Sequence, residues 1–316
     1  MAFNSNQLKK IKLNRVFLLL LIWLIYPGCK SKPKEFLREL ISFSEVNGIS
    51  YTEVYRGSAN GLSFTKYGFR QEPQWRMRFL SGDSVSIYSP DRKRFYNFVL
   101  SRGYDSIFNT ARVWLKMKKI SKDSLVFQLL TAKSDSLNTK GEDVYMTLYA
   151  DKYIKDVLHT SAEVLQRPGR KDTLFVKALI DKANNNYDST FVAQQSVMLT
   201  PKSPQVKVAQ KKATPNVMND FSTTSDYLDP EYDITINKAY RNFYYTFTIV
   251  IDDKGKMHYG KPLVPFTEEK FRDAYVNTST AVMNSYLAYY LQVTPGKTLG
   301  MPHASVITVN VTGTAK

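Results

Sequence analysis

The 316-residue chain holds 44 Lys and Arg against 28 Asp and Glu, a net charge of +16, with 43% hydrophobic and 13% aromatic residues. So much apolar and aromatic material excludes an intrinsically disordered chain, and a single cysteine excludes an internal disulfide framework, so stability must come from a buried core. The excess of base is uneven: residues 29–198 carry +9, residues 199–215 four lysines and no acid, and residues 216–316 a net −1. This balance suits an anionic lipid surface or a cell-wall polymer; no nucleic-acid motif is present, and nucleic acid is not an expected partner.

In chain order, the first feature is an unbroken apolar run over 16–26. As a helix it would reach about 17 Å, short of a hydrocarbon core of about 30 Å, so it is not read as a span. Lys9, Lys10, Lys12 and Arg15 precede it and no acid occurs in 1–28, the pattern of an export signal. Tyr26-Pro27-Gly28-Cys29 then resembles the lipobox of bacterial lipoprotein precursors, with the small Gly28 before the cysteine. That resemblance implies removal of residues 1–28, acylation of Cys29, and a chain anchored to an envelope membrane facing the periplasm, inner or outer being open. The alternative is an ordinary secretory signal with an incidental thiol at Cys29.

Residues 29–198 are expected to form a basic, β-rich domain. Phe36, Leu37, Leu40, Ile41 and Phe43 place apolar groups on one side of a short opening helix. The segments WRMRFL, SVSIYS, RVWLKMKKI, SLVFQLL, DVYMTLYA and TLFVKALI then read as strands separated by turn residues, with Trp75 and Trp114 as core anchors. The expectation is an antiparallel sheet curled into a sandwich or small barrel. A barrel raises a second functional reading, a lipocalin-like carrier of an apolar small molecule. Residues 199–215, with three prolines, four lysines and no aromatic, read as an extended tether.

Residues 216–316 are expected to be an α+β module in the order strand, strand, helix, strand. Phe243, Tyr245, Phe247, Ile249 and Ile251 alternate along the first strand, and Asp252-Asp253-Lys254-Gly255 supplies its turn. Thr267 is the expected N-cap of a helix with Phe271, Ala274, Tyr275, Thr278, Ala281 and Val282 on its apolar stripe. Pro295 and Gly296 end that region, Gly300 and Pro302 follow, and a strand closes the module.

FTIVIDDKGKM, a helix, and TPGKTLGMPHASVITVNV together resemble the C-terminal domain of TonB and related energy transducers, over about residues 219–316. Asp252 and Gly255 match its hairpin, and Pro295, Gly296, Gly300 and Pro302 its later turns. The resemblance implies a binding module that recognises a short segment of an envelope protein or outer-membrane transporter by strand addition. The closing strand, with Val306, Thr308 and Asn310 on one side, is then the candidate edge. Energy transduction is not carried over, because the apolar run is short and the tether reaches only about 55 Å. No nucleophile or metal-ligand spacing connects His159, His258 and His303, and no phosphate, dinucleotide or hydrolase motif occurs, so neither catalysis nor a cofactor is expected.

Overall fold

A computed structural model describes residues 40–90, 92–133, 136–138, 144–211, 228 and 230–315. The expected export signal, Cys29 and the first part of the expected opening helix lie outside them.

The N-terminal region is built from β1 (Ser50–Ser58), β2 (Arg76–Leu80), β3 (Ser84–Ser89), β4 (Arg94–Val99), β5 (Ser101–Arg102), β6 (Ile107–Thr110), β7 (Val113–Ile120), β8 (Ser124–Lys133), β9 (Ser136–Asn138) and β10 (Val144–Ala150). They hydrogen-bond in the order β4-β3-β2-β1-β10-β8-β7-β6-β5, with β9 added to β8. All these pairs are antiparallel. Only Leu100 separates β4 from β5, and this bent run pairs β3 with its first half and β6 with its second. The two ends of the sheet are therefore joined covalently, and the sheet curls into a barrel-like form.

Alternation decides what faces inward. In β3, Val85 and Ile87 are buried while Ser84, Ser86 and Tyr88 are not. Val85, Ile87, Phe108, Leu115, Leu125, Phe127, Met146 and Leu148 show no exposed surface, which leaves no water-sized space beside them. Trp75 is a core residue as expected, but Trp114 is half-buried, because Leu115 and Met117 take the inward positions of β7. Residues 40–43 form no helix, and Ser44–Val46 is a single 3-10 turn. Phe43 stacks on Phe79 at 4.3 Å and meets Phe108 edge-on at 5.1 Å, capping the barrel end where β2 turns into β3.

The segment TLFVKALI is helical, not a strand. It lies within α2 (Arg170–Asn185), preceded by the short α1 (Ala162–Leu165). Val176, Ile180 and Ala183 bury one side of α2, a spacing of four and three residues that a helix, not a strand, brings to one face.

The expected tether is not a free linker. Its residues supply β11 (Met198–Pro201) and β12 (Val206–Lys211), while 212–215 lie outside the described residues. The rest of the C-terminal region comprises β13 (Glu231–Asn237), β14 (Phe243–Ile251), β15 (Met257–Pro262), α3 (Glu269–Val282), β16 (Leu291–Thr294), β17 (Lys297–Thr298), β18 (Met301–Pro302) and β19 (Ser305–Thr314). β11 pairs β16, and the main sheet runs β12-β13-β19-β14-β15. The strand, strand, helix, strand order is present, extended by β12 and β13 at one side. Leu40–Lys316 is one compact unit.

One face of this sheet, with Phe247, Ile249, Ile251, Ile307, Val309 and Val311, packs against Val282, Met283 and Leu287 at the end of α3. The apolar stripe is rotated from the expected one: Val282 is buried as expected, but Phe271, Ala274 and Ala281 are exposed and Ser279 is buried. Beyond Val282 the helix continues through a π-type turn, Met283–Leu287, whose Met283 and Leu287 join the core. Ser279 is tolerated inside because its hydroxyl donates to the Tyr275 carbonyl at 2.7 Å and bonds the Tyr259 hydroxyl at 2.9 Å. Glu268, not Thr267, occupies the N-cap. On the opposite face, Val250 and Ala304 meet α2 and Phe64, which joins the sheet to a loop of the barrel.

A buried carboxylate holds that loop. Glu53 is fully buried at a bulge in β1, and the Arg56 guanidinium donates to both its oxygens at 2.7 Å. The backbone N–H groups of Gln74 and Trp75 donate to Oε2 at 2.8 and 2.9 Å. Replacing Glu53 by Ala leaves a part-buried cation and two N–H donors without an acceptor. We expect Glu53→Ala to lower stability by about 3–5 kcal/mol in urea unfolding, with Arg56→Ala following it and the double variant far from additive.

Candidate functional site

The turns of the C-terminal region come first, because they position its sheet. Asp252 accepts backbone N–H bonds from Lys254 at 3.0 Å and Lys256 at 2.8 Å, and Gly255 sits at φ +84°. A Cβ on Gly255 would also lie 2.8 Å from the Val293 carbonyl, so glycine is required by backbone angle and by close approach together. Burial pushes the Asp252 carboxyl up, but the bond to His258 and those to Lys256 and Lys254 outweigh it and leave the group below its usual range. His258 Nε2 lies 3.0 Å from Asp252 and 3.2 Å from the Tyr187 hydroxyl, clamping the end of α2 to the β14–β15 hairpin. No sequence spacing signals this contact, since Tyr187 comes from a distant turn.

Pro295, Gly296, Gly300 and Pro302 form a second structural unit. Leu299 and Gly300 have φ of +52° and +77°, the two left-handed positions of a tight turn joining β17 to β18. Gly296 lies where a Cβ would approach the Ala193 Cβ to 2.5 Å. The backbones of Lys297 and Gln195 exchange hydrogen bonds of 2.8 and 2.9 Å, tying this unit to the chain leaving α2. His303 is fully buried within it, its ring parallel to Phe191 at 4.0 Å. Nδ1–H donates to the Ala304 carbonyl at 3.0 Å, so Nε2 accepts from the Thr298 hydroxyl at 2.9 Å. Burial pushes His303 below the ordinary imidazole value, only partly opposed by the Ala304 bond.

The closing strand is not an edge. β19 is the central strand, parallel to β13 on one side and antiparallel to β14 on the other, so the expected strand addition at Val306, Thr308 and Asn310 has no free backbone along most of its length. Sequence order places it last, but strand order in a sheet is set by tertiary pairing. Val306 is 39% exposed and lines a small recess of about 160 Å³ with Phe191 and Pro230, beyond the start of β13. The backbone N–H of Thr308 is taken by the Pro230 carbonyl at 2.9 Å. The Asn310 side chain is committed too: Nδ2 donates to Glu231 at 2.6 Å and Asp233 at 2.9 Å, and Oδ1 accepts from Thr246 at 2.9 Å.

The edges of the main sheet are β15 and β12. β15 ends in Pro262 and pairs β14 across a bulge, features that oppose a further strand. β12 pairs only β13 among the described residues. The Asn237 N–H donates to the Gln205 carbonyl at 2.8 Å, so by alternation Lys207, Ala209 and Lys211 bond toward β13 while the N–H and C=O of Val208 and Gln210 point outward. Along the outer edge, Val206 and Val208 lie on the core side and Lys207 and Lys211 on the open face. Lys211 donates to Glu231 at 2.6 Å; the bond raises the lysine and lowers the carboxyl relative to their usual values.

Among the described residues, no helix is long and apolar enough to cross a membrane, and no three His, Cys, Asp or Glu side chains gather to hold a metal. Among the described residues, a barrel-like antiparallel sheet joined to a five-stranded sheet with one long helix is thus the class of architecture present. No protein-family model matches the chain, and no curated protein matches it in sequence.

A pH test follows from His303. Its folded value lies below the unfolded one of about 6.5, so between the two the unfolded chain binds more protons. Its contribution is intact above about pH 6.5 and is lost as pH falls toward the folded value, at up to about 1.4 kcal/mol per pH unit. Urea midpoints at mildly acidic and neutral pH should show this loss for the native chain and a shallower dependence for His303→Gln.

Proposed function

We propose that the protein is a lipid-anchored component of the cell envelope, held at a membrane through Cys29, whose C-terminal sheet binds an extended segment of another envelope protein, an outer-membrane transporter being the candidate the TonB-like pattern suggests. It acts as an interaction or scaffold module without catalysis and without a cofactor. The observation that carries this reading is the open outer edge of β12, with the N–H and C=O of Val208 and Gln210 directed away from the sheet. The TonB-like turn residues, Asp252, Gly255, Pro295, Gly296, Gly300 and Pro302, support it indirectly, by building the scaffold that holds the edge in place.

The side chains along the edge limit what fits. An added strand would lay alternate residues beside Val208 on the core side and beside Lys207 and Lys211 on the open face. Apolar residues suit the first set and acidic residues the second. The histidines favour a structural role over catalysis: His303 is enclosed by hydrogen bonds, and His258 belongs to the clamp with Asp252 and Tyr187. The packed barrel interior puts side chains where a carried ligand would sit, so the binding reading is preferred to the carrier.

Two measurements test the proposal. Intact mass of the mature protein should show loss of residues 1–28 with added acyl mass that disappears in Cys29→Ser; loss of the leader without acyl mass refutes the anchor. For the edge, Gln210→Pro removes one outward N–H while keeping the β12–β13 ladder. Envelope protein retained by the tagged full chain should fall at least tenfold with Gln210→Pro. Retention that does not respond to this change excludes strand addition at β12.

A further inference from the structure

The outer face of β2–β4 does not have the composition of a simple solvated face. The register pairs Tyr88 with Phe95, Ser86 with Asn97 and Ser84 with Val99, while Arg78 stands opposite Ser86. Phe95 is 48% exposed and Val99 76% exposed, both standing out from this face. The Arg76 guanidinium lies 5.0 Å from the Tyr88 ring centroid and 6.0 Å from that of Phe95, and the two rings meet edge-on at 5.2 Å. Arg92 and Lys93 project from the β3–β4 turn, and both are exposed. Residues 76–99 include five bases and two acids. Among the described residues, Arg76, Arg78, Arg92 and Lys93 form no ion pair; Asp83 is held by Arg102 at 2.8 Å, and Glu72, Asp151 and Glu163 line the recess that Arg76 borders on the side of β1.

We propose that this face docks on an anionic lipid surface, with Phe95 and Val99 entering the headgroup boundary and Arg76, Arg78, Arg92 and Lys93 meeting lipid phosphates. Two features favour lipid over a soluble polyanion. The two exposed apolar side chains sit four residues apart on one strand, roughly 13 Å, as two wedges. A polyanion would need the bases but has no use for the wedges. Ser84, Ser86 and Asn97 lie between them, where headgroup oxygens can be hydrogen-bonded.

The test uses the mature chain, residues 29–316, carrying Cys29→Ser, so that vesicle binding reports the face and neither the acyl group nor the basic, apolar leader. It should sediment with vesicles in which about a third of the lipid is anionic and not with purely zwitterionic ones. The pair Arg92→Gln and Lys93→Asn, the latter keeping a residue that tolerates the φ of +52°, should weaken binding about thirtyfold. The pair Phe95→Ser and Val99→Ser should weaken vesicle binding several-fold and leave retention on a heparin column unchanged. All four positions are exposed, and thermal melts of the variants check that the fold is kept. Equal binding to both vesicle types, or vesicle binding indifferent to Phe95 and Val99, overturns the proposal, the second outcome assigning the face to polyanions in general. Intact mass of the native chain reports acylation separately, so a missing anchor and an inert face give different results.

Discussion

The fully buried Glu53 carboxylate ties β1 to the loop that returns from it. It sits inside the barrel wall, where an unpaired charge would be costly, and its four hydrogen bonds come from a side-chain fork and two backbone N–H groups of the returning loop. These fix the bulge in β1 and the path of residues 59–75. Gln166 donates to the Glu53 carbonyl at 2.7 Å and so aligns the segment leading into α2. Asp172 repeats the device one step further out, accepting from the Ser63 N–H at 2.8 Å and the Gly169 N–H at 3.3 Å. Phe64 is thereby placed against Val176 and Val250, where barrel loop, helix and C-terminal sheet share one small core.

The geometry of the C-terminal sheet depends on that chain of contacts. β12 is an edge because β13 lies between it and β19, and β13 is held from outside the sheet by the Tyr232 hydroxyl, which donates to the Val197 carbonyl. Residues 198–211 are thus paired to two different sheets within a few residues. The segment linking the two halves is a structural element, which makes the open edge a rigid feature of the whole unit and not of a swinging tail.

The strands of the barrel were legible because one wet face and one dry face leave a two-residue period, as in SVSIYS. TLFVKALI misled because a short apolar run bounded by polar residues fits a strand and a helix equally; only Ala183 beyond its end, packed with its own Val176 and Ile180, reveals the helical period. The 199–215 segment misled for a different reason. Lysine and proline are the residues that protect a sheet edge, so the composition of a tether and of an edge strand coincide. Asp252, Gly255, Gly296 and Gly300 were readable as turns, since positive φ and close backbone approach leave a glycine signature. The place of β19 at the centre, the clamp of Tyr187 on His258 and the ion pair at Glu53 were not readable, because each joins residues through pairing or packing that local sequence does not encode.

The central position of β19 has a consequence for how the chain is made. β13 and β14 never pair with each other; they meet only through β19, which follows both in sequence. During vectorial synthesis or export, the hairpins β12–β13 and β14–β15 therefore emerge as two separate fragments, each with an unsatisfied edge, and nothing joins them until the final strand arrives. The barrel needs no such delay, because its ten strands lie earlier in the chain and mostly pair with sequence neighbours. The N-terminal half can thus act as a folded platform while the C-terminal sheet is incomplete, and it is in that interval that the module is most exposed to proteolysis and to wrong strand partners.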